Sequence, residues 1–192
     1  MEHYYKKYAN PATGATLTIF YDECPSNPRT EYDCNIGAFI VPGRCRYVGS
    51  EYDFPLDFSS RKNDENALEK SSDIVAYLPV YVYDHSGVCL NTTGFLCPWD
   101  SGQIGWIVAT REALKRAGFT DWKRISKKRR ATLENWLRAE VETFSAYLSG
   151  EVYGFTVESA SGEETDSCWG YIGDDGLKAI QDEYPDFTEE LA

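Results

Sequence analysis

Hydrophobic and polar residues alternate over several short stretches of this chain, and each stretch predicts a strand. Ala15–Tyr21 (ATLTIFY) alternates and is rich in β-branched and aromatic residues, which marks a first strand. Gly37–Val41 (GAFIV) marks a second, ended by Pro42. The longest pattern is Ile74–Tyr83 (IVAYLPVYVY). Pro79 within it has no N–H to give to a ladder, so this strand belongs at an edge or carries a bulge. Gln103–Ala109 (QIGWIVA) predicts another strand. Val152–Glu158 and Ser167–Ile172 predict a hairpin around a turn at Ser159 to Thr165.

From residue 126 the period changes. Leu133, Trp136, Leu137, Val141, Phe144 and Leu148 recur at steps of 3, 1, 4, 3 and 4, one face of an α-helix. The spacing predicts a helix over about 126–149, with Ser126 as its N-cap and Gly150 past its end. A shorter helix begins at Arg111 and stops at Gly118, and a C-terminal one, capped by Asp174 or Asp175, runs through Tyr184. The polar stretch 59–72 reads as a loop with a short helix. Strands, then two helices, then a hairpin predict an α+β fold. Its antiparallel or mixed sheet packs against one long amphipathic helix and short helices, as a single domain over residues 1–192.

Charge divides the chain more sharply than hydropathy does. The net charge of −12 comes from 19 basic and 31 acidic residues. Residues 111–138 hold 10 basic and 3 acidic residues, whereas 139–192 hold 1 basic and 14 acidic, so a basic helical region precedes an acidic C-terminal hairpin and helix. Lys127, Lys128, Arg129 and Arg130 crowd the first turn of the long helix, where the helix dipole disfavours cations. With Lys123 and Arg124 they form a candidate surface for an anionic partner: the protein's own acidic C-terminal third, nucleic acid or another anionic protein. Glu163, Glu164, Asp166, Asp174 and Asp175 form a candidate acidic partner surface around the hairpin. A solvated face that keeps the protein soluble is the plain alternative.

The six cysteines include no C-x-x-C pair and the chain has two histidines, so no zinc finger or ribbon is expected. The first residues, MEHYYKKYANPATG, lack the apolar stretch of an export signal, and no run of about 18 apolar residues exists. The expectations are buried free thiols, no membrane association and a cytoplasmic location.

Three loops concentrate polar groups. Tyr21–Asp33 carries Asp22, Arg29 and Asp33, with two prolines restricting its shape. Tyr83–Gly87 carries Asp84 and His85, which point to opposite faces if the strand continues and so form no dyad unaided. Cys97–Gln103 carries Asp100 in a tight Asp-Ser-Gly turn anchored by Trp99. Nucleotide fingerprints of the G-x-G-x-x-G and G-x-x-x-x-G-K-[ST] types are absent, as is a G-x-S-x-G elbow around Ser86 or Ser101. No catalytic residue, metal ligand or cofactor is assigned. A metal-dependent hydrolase using Asp22, Asp33, Asp84, His85 and Asp100 stands as a further alternative, if those loops meet.

Taken together, Asp22, Asn27-Pro28-Arg29, Asp33, YDHSG at 83–87, WDSGQIG at 99–105 and SCWG at 167–170 resemble a family of small proteins of bacteriophages, prophages and conjugative elements. The resemblance spans roughly residues 14 to 173. It implies an accessory protein in the cytoplasm of a bacterial host, and brings no established reaction with it. Small acidic accessory proteins of this kind often oppose host defence, and the resemblance implies that role. The leading expectation is therefore a non-enzymatic inhibitor of a host defence nuclease, of anti-CRISPR or antirestriction type, binding the nuclease, its ribonucleoprotein or its nucleic acid. The alternative is a DNA- or RNA-binding accessory factor that uses the basic helix start.

Overall fold

The computed structural model describes residues 4–43, 45–122 and 124–191. It is an α+β protein whose strands pair antiparallel throughout. Two compact units are present: residues 1–31 with 146–192, and residues 32–145.

The first unit contains β1 (Lys6–Ala9), β2 (Thr16–Tyr21), a one-turn helix α1 (Pro28–Glu31), β7 (Val152–Glu158), β8 (Glu164–Ile172), α5 (Gly173–Glu183) and β9 (Glu189–Leu191). Its five-stranded sheet has the order β8-β7-β2-β1-β9. The alternation of β2 sends Leu17 and Ile19 to one face, where they meet Tyr153, Phe155 and Val157 of β7 and Ile180 of α5. The hairpin forms as the spacing predicts, but its second strand starts at Glu164, because Ser159 N–H already bonds Glu163 O across a tighter turn. Neither Asp174 nor Asp175 caps α5. Ile172 is the N-cap residue and offers no side-chain bond, so the two aspartates act within the first turn, where the positive end of the helix dipole favours them.

The second unit contains β3 (Gly37–Ile40), α2 (Arg61–Lys70), β4 (Ile74–Asp84), β5 (Val88–Asn91), β6 (Ser101–Thr110), α3 (Arg111–Arg116) and most of α4 (Lys127–Ser149). The sheet order is β3-β6-β4-β5. Pro79 sits where the pattern requires. It pairs with Trp106 on one side, and β5 joins the other side of β4 only from Tyr81 onward. The α4 face is buried through Leu133, Leu137, Val141 and Phe144, and Phe144 meets Phe39 of β3 at 5.8 Å between ring centroids. Ser126 caps α4, its Oγ accepting from Arg129 N–H at 3.2 Å. On a second core, Trp106 packs with Ile40, Leu68, Ile74 and Val108. It is covered by the extended segment carrying Tyr52, Phe54, Leu56 and Phe58.

All six cysteines are free thiols, yet none is fully buried. Cys168 is exposed on the edge strand β8 and Cys89 half-buried on the edge strand β5, each lacking a neighbouring strand on one side. Trp99 anchors nothing: it is 90% exposed, and Ser101 and Gly102 already belong to β6.

Candidate functional site

The division into units relocates the charge. The first unit carries 4 basic and 16 acidic residues, a net of −12, while the second carries 15 of each and is neutral. The whole net charge of the protein therefore resides in one unit. Glu163, Glu164, Asp166, Asp174 and Asp175 are all exposed. Glu164 Oε1 accepts from Ser167 Oγ at 3.0 Å, and Asp166 accepts from the Tyr184 hydroxyl, so the β8 carboxylates are held in fixed positions. Burial, reinforced by the bond to Asp166, raises the Tyr184 phenol well above its ordinary value and keeps it a donor. The opposite edge, β9, adds Glu189 and Glu190, the latter 3.7 Å from Lys6 Nζ. Beside β8, Trp169 lies across Gly154. A Cβ there would meet the indole at 2.0 Å, so only glycine admits the ring.

The basic cluster belongs to the second unit. Arg124, Lys127, Lys128 and Arg130 are exposed, and Lys123 lies outside the described residues. Among the described residues of that unit, Lys127, Lys128 and Arg130 make no ion pair. Arg129 differs. Its guanidinium lies 4.8 Å from the centroid of the Trp122 ring, reaches Asp121 at 3.6 Å and donates to Arg124 O at 3.1 Å.

The basic cluster borders an aromatic group that the charge pattern did not single out. Trp122 stacks on Trp136 with ring planes 16° apart, and Phe119 packs against both at 5.0 and 5.3 Å. Trp136 leaves the core face of α4 to join them, because the periodicity places it at the margin of the buried stripe. Arg111, Leu114, Lys115, Phe119, Thr120 and Trp122 line an open cavity of about 240 Å³. Trp136 is exposed while Phe119 and Trp122 are half-buried. Cationic side chains beside aromatic rings are the two components of single-strand binding, phosphate pairing and base stacking. The sequence signal was the interleaving of Phe119, Trp122 and Trp136 with the basic residues.

Of the polar loop residues, the second unit brings together Asp84, His85 and Asp100. The Asp84 carboxylate accepts from Tyr47 Oη at 2.6 Å and from Arg46, and these donors hold it below the usual carboxylate range. His85 Nδ1 is 3.5 Å from Asp100 Oδ2, to which Cys97 Sγ also donates at 3.6 Å. Asp84 and His85 thus take different partners. Ser101 Oγ is bound to Cys97 O. Asp22 and Arg29 belong to the other unit, where Asp22 Oδ1 accepts from Cys24 N–H and Arg29 N–H donates to Asn27 Oδ1, both local turn bonds. Asp33 is exposed at the start of the second unit. Among the described residues, no group of three or more His, Cys, Asp or Glu side chains is placed to hold a metal ion. No helix among them is long and apolar enough to cross a membrane. No protein family, curated protein or solved structure matches the chain.

Proposed function

We propose that the protein acts without catalysis, its acidic unit docking on the cationic nucleic-acid channel of a host defence nuclease and excluding the substrate. The observation that carries this reading is the concentration of the entire net charge, −12, in one unit. Charge on β8 and β9 also blocks addition of a foreign strand to either sheet edge, but a few carboxylates suffice for that, and this unit has 16. A field of this strength accelerates encounter with a cationic channel and repels nucleic acid from the same surface. The resemblance to mobile-element proteins supplies the class of target. Stoichiometric loss of cleavage when CRISPR and restriction nucleases are titrated with the protein supports the proposal. Undiminished cleavage by all of them at large molar excess overturns it.

A second reading has its own observation: Lys127, Lys128 and Arg130, which make no ion pair among the described residues of their unit, adjoin Arg129, whose guanidinium lies over Trp122 of the Phe119–Trp122–Trp136 group. In that reading the second unit binds single-stranded nucleic acid. Binding at low salt that weakens steeply as salt rises supports it. Absence of binding at low salt removes it.

A further inference from the structure

A second cavity of about 240 Å³ lies in the neutral unit, away from the basic cluster in sequence, and is lined by residues of α2 and the start of β6. Its wall includes Asp64, which is only 5% exposed. The Asp64 backbone N–H makes an ordinary helical bond to Ser60 O at 3.0 Å. Its carboxylate accepts no hydrogen bond from any described residue. One turn later on the same helix face stands Leu68, fully buried in the Trp106 core. A carboxylate thus occupies a position that packing alone would give to an apolar side chain. The Asp64 oxygens are not sealed off: among the described residues the buried side-chain atom without a hydrogen-bond partner is Trp106 Nε1, and the carboxylate opens to the cavity. A carboxylate that no protein donor meets and that faces a cavity is free to take its hydrogen bonds from whatever enters.

The remaining wall is shaped for an occupant. Val80 pairs with Gly105 and Tyr81 with Gln103, which leaves Ile104 as a β-bulge on β6. Gly105 permits the close approach of β3, since a Cβ there would meet Ile40 O at 2.3 Å. Gln103 Nε2 donates to Gly105 O at 3.2 Å, so its amide oxygen is left as a second acceptor. Arg61 is spoken for: Nε bonds Glu65 at 2.8 Å and Nη1 bonds Tyr81 Oη at 2.6 Å. Arg61, Asp64 and Glu65 sum to one negative charge. Phe58, held at φ +56°, adds an aromatic wall.

Two acceptors, a local negative charge and an aromatic face define the complement. We propose that this cavity binds a planar N–H cation, a guanidinium or amidinium group. Two of its N–H bonds would go to Asp64 and one to Gln103, with its face on Phe58. The volume is below the roughly 300–1,000 Å³ of ordinary ligand clefts, which restricts the occupant to a small molecule or to the end of one arginine side chain.

Calorimetric titration of the full chain tests the assignment with three probes: agmatine, a capped single arginine, and butylamine as an ammonium without the planar fork. Saturable one-to-one binding of agmatine, at least about tenfold weaker in Asp64→Asn and with butylamine, is the expected result. Equal binding of capped arginine assigns the site to a side chain of a partner protein; preference for agmatine assigns it to a free small molecule. No saturation at millimolar agmatine overturns the proposal, as does equal affinity in folded Asp64→Asn. Should that variant fail to fold, Gln103→Leu decides by the same criterion, with unchanged affinity counting against the site. Nuclease inhibition is not required for any of these outcomes.

Discussion

The carboxylate of Glu140 straddles the backbone N–H of Gly37, with each oxygen 3.1 Å from the nitrogen, and Oε1 also accepts from Ile36 N–H at 2.8 Å. A side chain on α4 thereby bonds the N–H of Ile36, just before β3, and that of Gly37, its first residue, and fixes where the helix sits along the strand. A Cβ at Gly37 would meet the ends of the Leu137, Glu140 and Ile107 side chains at 2.7 to 2.8 Å, so a larger residue there would displace the Glu140 carboxylate from its place. Glu140→Ala should lower stability by about 2–3 kcal/mol, because its charge-assisted bonds to Ile36 and Gly37 are lost. Urea denaturation measures this, with Glu142→Ala, an exposed neighbour, as the control expected to change little.

Replacing Lys127, Lys128 and Arg130 together by Gln should leave the melting temperature nearly unchanged, since none of them makes an ion pair among the described residues of its unit. If the second unit binds nucleic acid, the same change should reduce the slope of log affinity against log salt by about 2. Trp122→Ala should act differently. It removes a ring that holds Arg129, Phe119 and Trp136, and should reduce affinity while leaving the salt slope nearly intact. Fluorescence anisotropy with a single-stranded oligonucleotide at several salt concentrations separates the two effects.

Tyrosine burial sets the alkaline limit. Burial first, then the charges of neighbouring groups, pushes Tyr153 up to about 12. Burial and the hydrogen bond to Glu69 push Tyr77 to about 12 as well. A phenol with a raised folded value favours the native state while it stays protonated in both states. That contribution is whole below the ordinary value of 10.0 and is lost as pH rises from there toward 12. Each unit contains one of these residues, so both should lose stability across this window. Melting curves with tyrosinate absorbance should show late ionisation of native protein and a steep rise on unfolding.

Asp84 works in the opposite direction. Its lowered folded value means a contribution present above the ordinary 3.8 and lost as pH falls through the folded value. Tyr47→Phe removes the donor with the largest effect and should move the Asp84 titration upward, toward 3.8. Carboxyl chemical shifts followed through an acid titration read this directly, and an unmoved midpoint would show that Tyr47 is not the controlling donor.

Local periodicity was sufficient wherever one face of an element is buried along its length. Thus β2, β4, β6 and β7 stand within a residue or two of their alternating stretches, and α4 begins and ends at the caps its sequence provides. The short strands β1 and β9 were not legible. Lys6–Ala9 has no alternation of its own, and becomes a strand because Tyr8 pairs with Leu17 on one side and Glu190 on the other. The candidate sites divide the same way. Clusters of like charge were visible from composition, and the aromatic group beside Arg129 lies within residues 119–136, whereas the Asp64 cavity depends on residues as distant in the chain as Pro42 and Gln103.

The sequence by itself determined the α+β class, the long capped helix and the signs of its two charged regions, because each follows from neighbours along one element. Tertiary structure alone decided that residues 1–31 join 146–192 through the pairing of β2 with β7. That pairing also decides that the N-terminal carboxylates count with the C-terminal ones, and that a net charge spread along 192 residues becomes one acidic unit and one neutral unit. Strand pairing is non-local: its hydrogen bonds form between residues whose separation in the chain leaves no mark on either segment.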